Sequence, residues 1–228
     1  MMNGIIAFGL SAAAGASTGL GGLAAVLGGE KNRRLMAFGM GFSAGVMLCA
    51  ALRELLTGAI AALGGIPAAL GFLGGMALYM LTSYALPEGE TRHGLTAAVL
   101  MAVHNVPEGM ATFVTALNDP AAALPVILAV ALHNIPEGMA VAAPVLRSTG
   151  RKARAFRYSF LSGLTEPLGA LCCWLVLAPC LDSPVLAFLN AVVAGCMAAL
   201  SSHTLLPDAP GLFGLGGFAT GVALFVIL

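Results

Sequence analysis

Residues 94–117 read GLTAAVLMAVHNVPEGMATFVTAL and residues 122–146 read AALPVILAVALHNIPEGMAVAAPVL. Each is long and apolar enough to cross a bilayer as a helix, which takes ~20 residues. Each also carries the same polar hexamer near its middle: HNVPEG at 104–109 and HNIPEG at 133–138. A segment that is apolar at both ends and polar at its centre is read here as a membrane helix with chemistry at mid-depth.

The apolar character extends outward over the whole chain of 228 residues. Hydrophobic residues make up 59% and charged residues 9%, against roughly 25% charged in a soluble domain. Ten basic and ten acidic residues are too few to cover the surface of a soluble fold of this size, so the solvent expected for this chain is lipid. Glycine, proline and charge clusters divide it into eight predicted spans, at 4–27, 35–58, 66–86, 94–117, 122–146, 156–179, 184–206 and 211–228. The predicted connections are Gly28–Arg34, Gly64–Pro67, Pro87–His93, Asn118–Pro120, Arg147–Arg157, Leu181–Pro184 and Pro207–Pro210. The segments are continuously apolar without alternation, which favours helices over a barrel. The expected fold is an all-α membrane protein, a single transmembrane domain over residues 1–228.

Basic residues fall on alternate connections. Lys31, Arg33 and Arg34 lie in the first, Arg92 in the third, and Arg147, Arg151, Lys152, Arg154 and Arg157 in the fifth. The positive-inside rule puts those connections in the cytoplasm and both termini on the non-cytoplasmic side, which predicts a multi-pass membrane protein. The net charge is zero, so no basic surface invites nucleic acid. The apolar N-terminal stretch lacks the basic start of a cleaved signal peptide and is read as the first span. Cys49, Cys172, Cys173, Cys180 and Cys196 contain no CxxC pair and are read as small buried hydrophobes.

Most acidic residues sit in connections or near span ends, but Glu108, Glu137 and Glu166 sit in the middle of spans four, five and six. A charge at the bilayer centre costs at least ~2.5–3.5 kcal/mol. No Lys or Arg lies at that depth to neutralise these three, so they must be protonated, face water or bind a cation. Their surroundings favour the cation. His104 and Glu108, like His133 and Glu137, are spaced i, i+4 and share a helix face. Each hexamer offers an imidazole nitrogen, a carboxamide oxygen (Asn105 or Asn134) and a carboxylate. Pro107 and Pro136 free the carbonyls of Val103 and Leu132, and Gly109 and Gly138 let neighbouring helices approach. With Glu166 this makes a mixed nitrogen–oxygen set suited to Zn²⁺, and also to Fe²⁺, Mn²⁺, Co²⁺ or Cd²⁺.

The two hexamers are offset by 29 residues and enter the membrane from opposite sides. An inverted repeat with its polar centre at mid-depth is typical of secondary transporters. Two other readings compete. A membrane-embedded zinc hydrolase would also bury His and acids, but the chain has no HExxH motif. A proton-carrying carboxylate relay would need no metal. Four further residues stay open: Met47 as core or ligand, Glu54 as an ion pair with Arg53 or an entrance, and His203 and Asp208 near an exit. His93 is read as a solvated connection residue.

The hexamers HNVPEG and HNIPEG, with SGLTEPLGA at 162–170 and SSHTLLPDA at 201–209, resemble the ZIP (Zrt/Irt-like) metal transporters, above all the bacterial broad-range zinc-uptake branch. The resemblance covers essentially the whole chain. It implies uptake of zinc and related divalent ions through a binuclear site. His104, Glu108, His133 and Glu137 would form one position. Asn105, Asn134 and Glu166 would form the second, with Glu108 and Glu137 bridging. It further implies that Met47 can approach the first metal, that spans 1, 4, 5 and 6 move elevator-fashion against spans 2, 3, 7 and 8, and that the protein is a homodimer. The metal would be cargo rather than a prosthetic group. Two departures stand out: the third connection lacks a His-rich stretch, and Thr204 follows His203 where many members have Glu.

Overall fold

The computed structural model describes residues 2–28, 33–86, 92–118, 120–177 and 183–227. Helix α1 is Met2–Gly28. Helix α2 starts as Arg33–Cys49 and runs on through a π-helical stretch, Ala50–Leu56, into Thr57–Leu63. Then come α3 (Gly65–Ala85), α4 (Arg92–Asn118) and α5 (Pro120–Thr149). Helix α6 consists of Lys152–Gly163, a break at Leu164, Thr165–Cys172 and the π-helical Cys173–Leu177. Helix α7 is Ser183–Leu200 continued by π-helical Ser201–Leu205, and α8 is Gly211–Ile227. No strand occurs among the described residues.

Gly4–Gly28, Arg33–Leu63, Gly65–Ala85 and Pro184–Leu205 are long and apolar enough to cross a membrane. Helix α8 is apolar but shorter. Helices α4 and α5 have the length, at 27 and 30 residues. Side chains such as Ile66, Leu70, Met80 and Tyr84 on α3 and Leu212 and Leu215 on α8 are exposed, as a lipid-facing surface requires.

Two connections are shorter than the sequence suggests. Gly64 alone separates α2 from α3, at φ +82°, because Pro67 falls in the first turn of α3, where a missing N–H leaves no hydrogen bond unmade. The basic segment Arg147–Arg157 is mostly helix, since Arg, Lys and Ala favour that conformation. Only Gly150, at φ +64°, and Arg151 interrupt it. Cys173 and Cys196 are buried as expected, but Cys172 is exposed and Cys49 half-buried, because adjacent residues point to different helix faces. Cys180 lies outside the described residues.

The helices sort into two bundles. Helix α1 packs most extensively on α5, and α4 on the second half of α6, with further contacts among α1, α4, α5 and α6. In the other bundle α2 packs on α8 and α3 on α7. Glycine holds each bundle together by bringing backbones into contact. A Cβ on Gly21 would stand 1.9 Å from the Ile135 carbonyl oxygen, and one on Gly138 1.8 Å from that of Thr18, which knits α1 to α5. Gly109 faces the Glu166 carbonyl and Gly169 that of Val106, which knits α4 to α6. Gly41 and Gly217 do the same between α2 and α8, and Gly75 and Gly195 between α3 and α7.

The seam between the bundles is different. Its apolar cluster takes in Met36, Met40 and Met47 of α2, Met101 of α4 and Met197 of α7, with Val141–Leu146 of α5. Methionine is unbranched and adaptable, so this interface interdigitates through flexible side chains. One hydrogen bond crosses it at the depth of the hexamers, from the Ser43 hydroxyl of α2 to the Pro136 carbonyl of α5 at 2.6 Å.

Candidate metal centre

Helices α4 and α5 run antiparallel. Gly94, at the start of α4, lies against Val145, near the end of α5. The two hexamers therefore meet at the same level although they are read in opposite directions. Apolar residues close the level on both sides. Ala97, Leu100 and Met101 of α4 and Ala140, Val141, Val145 and Leu146 of α5 join the seam cluster at one end. Met110, Phe113 and Ala116 of α4 pack with Ile127 of α5, Ala7 and Ala14 of α1 and Ala170 and Cys173 of α6 at the other. The polar layer is thus sandwiched between two greasy ones.

Within it, His104 Nε2 lies 3.1 Å from Glu137 Oε1 and 3.5 Å from Glu108 Oε2. One donor atom from each of His104, Glu108 and Glu137 falls within 4.8 Å of the others. Glu137 is fully buried, His104 nearly so, and the Glu108 side chain is 13% exposed. The side chain of His133 lies outside the described residues; its backbone is part of α5.

A second group lies around Glu166, in the first turn after the α6 break. Pro167 supplies no N–H to the carbonyl of Gly163, which is where the helix is interrupted. Asn134 Nδ2 donates to Glu166 Oε2 at 2.7 Å and to the Ala14 carbonyl of α1 at 3.0 Å. The Ala14 carbonyl can only accept, so the amide nitrogen must face it and the amide oxygen must face away. Asn105 is fixed likewise by donation to the Ser162 carbonyl at 3.1 Å. Three buried oxygens of this group have no hydrogen-bond partner among the described residues: Asn105 Oδ1, Asn134 Oδ1 and Glu166 Oε1. Buried acceptors without donors are destabilising by about 1–3 kcal/mol each, and a cation is the natural counterpart for such a set.

Small hydroxyls hold this layer to its neighbours. Ser17 Oγ of α1 donates to the Ala131 carbonyl of α5 at 2.8 Å, and Ser159 Oγ of α6 to the Thr18 carbonyl of α1 at 2.8 Å. Neither residue stands out in the sequence, because a helical serine bonded to a neighbouring carbonyl has no spacing signature.

The four outlying candidates are elsewhere. Met47 is fully buried in the seam cluster. Glu54 and Arg53 are exposed on the π-helical part of α2, and no ion pair joins them. The exposed ring of His203 lies 5.9 Å from that of Tyr79, with Nδ1 3.1 Å from the Ala199 carbonyl. Asp208 pairs with Arg147. The His93 side chain lies outside the described residues.

Apolar helices built around a buried nitrogen–oxygen donor set define a multi-pass membrane protein with a metal-ligand type of centre. The family model described as ZIP Zinc transporter matches residues 87–227. The chain is 39% identical over 229 residues to the zinc transporter ZupT of Streptococcus mutans, covering 89% of this chain and 87% of that protein. It is 41% identical over 216 residues to the zinc transporter ZupT of Escherichia coli O7:K1, covering 87% and 84%. With that of Lysinibacillus sphaericus it shares 36% over 264 residues, covering 99% and 98%. The chain belongs to the ZIP zinc transporter family. It is a membrane transporter of divalent metal and not an enzyme, which removes the hydrolase reading.

Proposed function

We propose that this protein carries zinc, and with it cadmium, iron or manganese, into the cytoplasm across the bacterial inner membrane. The observation that carries the reading is the convergence of His104, Glu108 and Glu137 from two antiparallel helices within 4.8 Å, buried between apolar layers. In this reading the eight helices all cross the membrane, and both termini lie on the non-cytoplasmic side. The chain works as a single domain within a homodimer.

The first metal position uses His104, Glu108 and Glu137, joined by His133 of the second hexamer. The second uses the oriented oxygens of Asn105, Asn134 and Glu166, with Glu108 and Glu137 bridging. Imidazole and carboxylate replace the water shell of the ion, so its charge is never bare in hydrocarbon. Two positive charges entering a negative interior gain ~4–5 kcal/mol per 100 mV, enough to drive uptake. Access alternates as the bundle of α1, α4, α5 and α6 slides along α2, α3, α7 and α8. The glycine-knit interiors of the bundles and the methionine-rich seam between them support this rigid-body motion.

Equilibrium binding of zinc to the purified protein tests the ligand assignment. Two ions per chain are expected, falling to one in Glu166→Ala. Both affinities should weaken as pH falls, because protons compete for the same donors. Binding of no zinc by the intact protein, or undiminished stoichiometry in Glu166→Ala, would contradict the assignment.

A further inference from the structure

Besides the Ser43–Pro136 hydrogen bond, a side-chain contact joins the two bundles at the end where α5 meets α6. Arg147, in the last turn of α5, forms an ion pair with Asp208 in the turn between α7 and α8. Its guanidinium forks: one nitrogen meets the carboxylate and the other donates to the Asp208 backbone carbonyl at 3.1 Å. The turn carrying Asp208 is tightly built. Its N–H donates to the Thr204 carbonyl at 3.3 Å, and that of Ala209 to the Leu206 carbonyl at 3.1 Å. Gly211 follows at φ +75°, and a Cβ on Gly214 would stand 1.8 Å from the Ala209 carbonyl oxygen. The carboxylate therefore belongs to one body and the guanidinium to the other. Together they wall a cavity of about 660 Å³ along the seam, lined also by Arg33, Met36, Ala37 and Met40 of α2 and by Pro210.

We propose that Arg147 and Asp208 are a latch between the two bundles, closed in this conformation and parted each time the bundle of α1, α4, α5 and α6 moves. The inference rests on the reading that the bundles move relative to one another. The exposure of the pair suits that task. Arg147 is 46% exposed and Asp208 19%. A pair so placed biases a conformation by a few-fold only. A fully buried pair would leave a costly unpaired charge each time it opened. The contact is made by the tip of the Arg147 side chain on a turn beside a cavity, so sliding parts it without disturbing either helix.

Two measurements test the latch. In the first, the double variant Arg147→Cys, Asp208→Cys is reconstituted in liposomes. It is treated either with a short bifunctional methanethiosulfonate, which joins the two positions, or with a monofunctional reagent of similar size, which only caps them. Capped protein is expected to take up zinc and linked protein not, with flux restored by reductant. Flux in the capped protein bears on transport itself, whereas the difference between capped and linked protein bears on the latch. The second measurement needs no flux. A cysteine at the cavity wall, Ala37→Cys, is labelled in purified protein with a hydrophilic thiol reagent, against the otherwise wild-type chain as control. Adding Asp208→Asn is expected to speed labelling about two- to fivefold. Equal flux in linked and capped protein, or labelling unchanged by Asp208→Asn, would overturn the latch.

Discussion

Exchanging Glu137 for Gln lowers zinc uptake by about 100-fold or more in a protein that still folds and reaches the membrane. The substitution keeps the volume of a side chain that is fully buried and faces His104 at 3.1 Å, so the two apolar layers around it are undisturbed. What is lost is the charge. A divalent ion leaving water must be met by anionic donors, because an uncompensated charge in a dry interior is strongly unfavourable. A loss of 100-fold corresponds to about 2.8 kcal/mol, at about 1.4 kcal/mol per factor of ten. The same change removes a buried carboxylate from the metal-free protein, so its thermal midpoint without metal should stay level or rise. Uptake is read in cells or vesicles, with the amount of membrane-inserted protein as the control. A variant that unfolds without metal would point to a structural role for Glu137, and one with full uptake would remove it from the transport path.

The second large effect is on the frame. In Gly109→Ala, a Cβ would stand 1.9 Å from the Glu166 carbonyl oxygen and 2.7 Å from its carbonyl carbon. Backbone cannot yield as a flexible side chain does, so α4 and α6 must separate. Forcing extra volume into such a contact costs about 1–3 kcal/mol. The separation also draws Glu166 away from Asn134, which now holds it at 2.7 Å, so zinc flux should fall together with stability. Gly138→Ala should behave alike, since its Cβ would meet the Thr18 carbonyl at 1.8 Å. Gly74→Ala on α3 is the control: no heavy atom lies within 4 Å of that Cβ, and alanine is the better helix former by about 0.5–1 kcal/mol. Thermal unfolding in detergent should separate Gly109→Ala and Gly138→Ala, lowered, from Gly74→Ala, unchanged or raised. Similar midpoints for all three would contradict this account of how the bundle is held.

Much of this architecture can be read before any coordinates. Several helix limits follow from where glycine and charge interrupt apolar sequence, and the i, i+4 spacing of His104 and Glu108 puts both on one face. Glu166 is conspicuous because an acid in a long apolar run needs a reason. Other features leave no trace in one dimension. The hydrophobic pattern that marks a helix does not distinguish the π-helical turns at Ala50–Leu56, Cys173–Leu177 and Ser201–Leu205 from ordinary ones. The rotation of Asn134 is set by Ala14, 120 positions away, and by Glu166. The pairing of Arg147 with Asp208 joins residues 61 apart, and no spacing links a basic connection residue to an acid read as lying near an exit. Basic residues mark the α5–α6 connection as a cytoplasmic end but do not break the helix there, because charge and helix propensity are independent.

Isotopic zinc flux into sealed liposomes carrying the purified protein bears most directly on the idea that buried acids persist here because divalent ions pass between them. With zinc outside and a negative interior, we expect accumulation well above empty liposomes, reduced by cadmium in competition and brought to background by Glu137→Gln. Liposomes carrying the wild-type protein that gain no more zinc than empty ones, with gradients imposed in either direction, would contradict it.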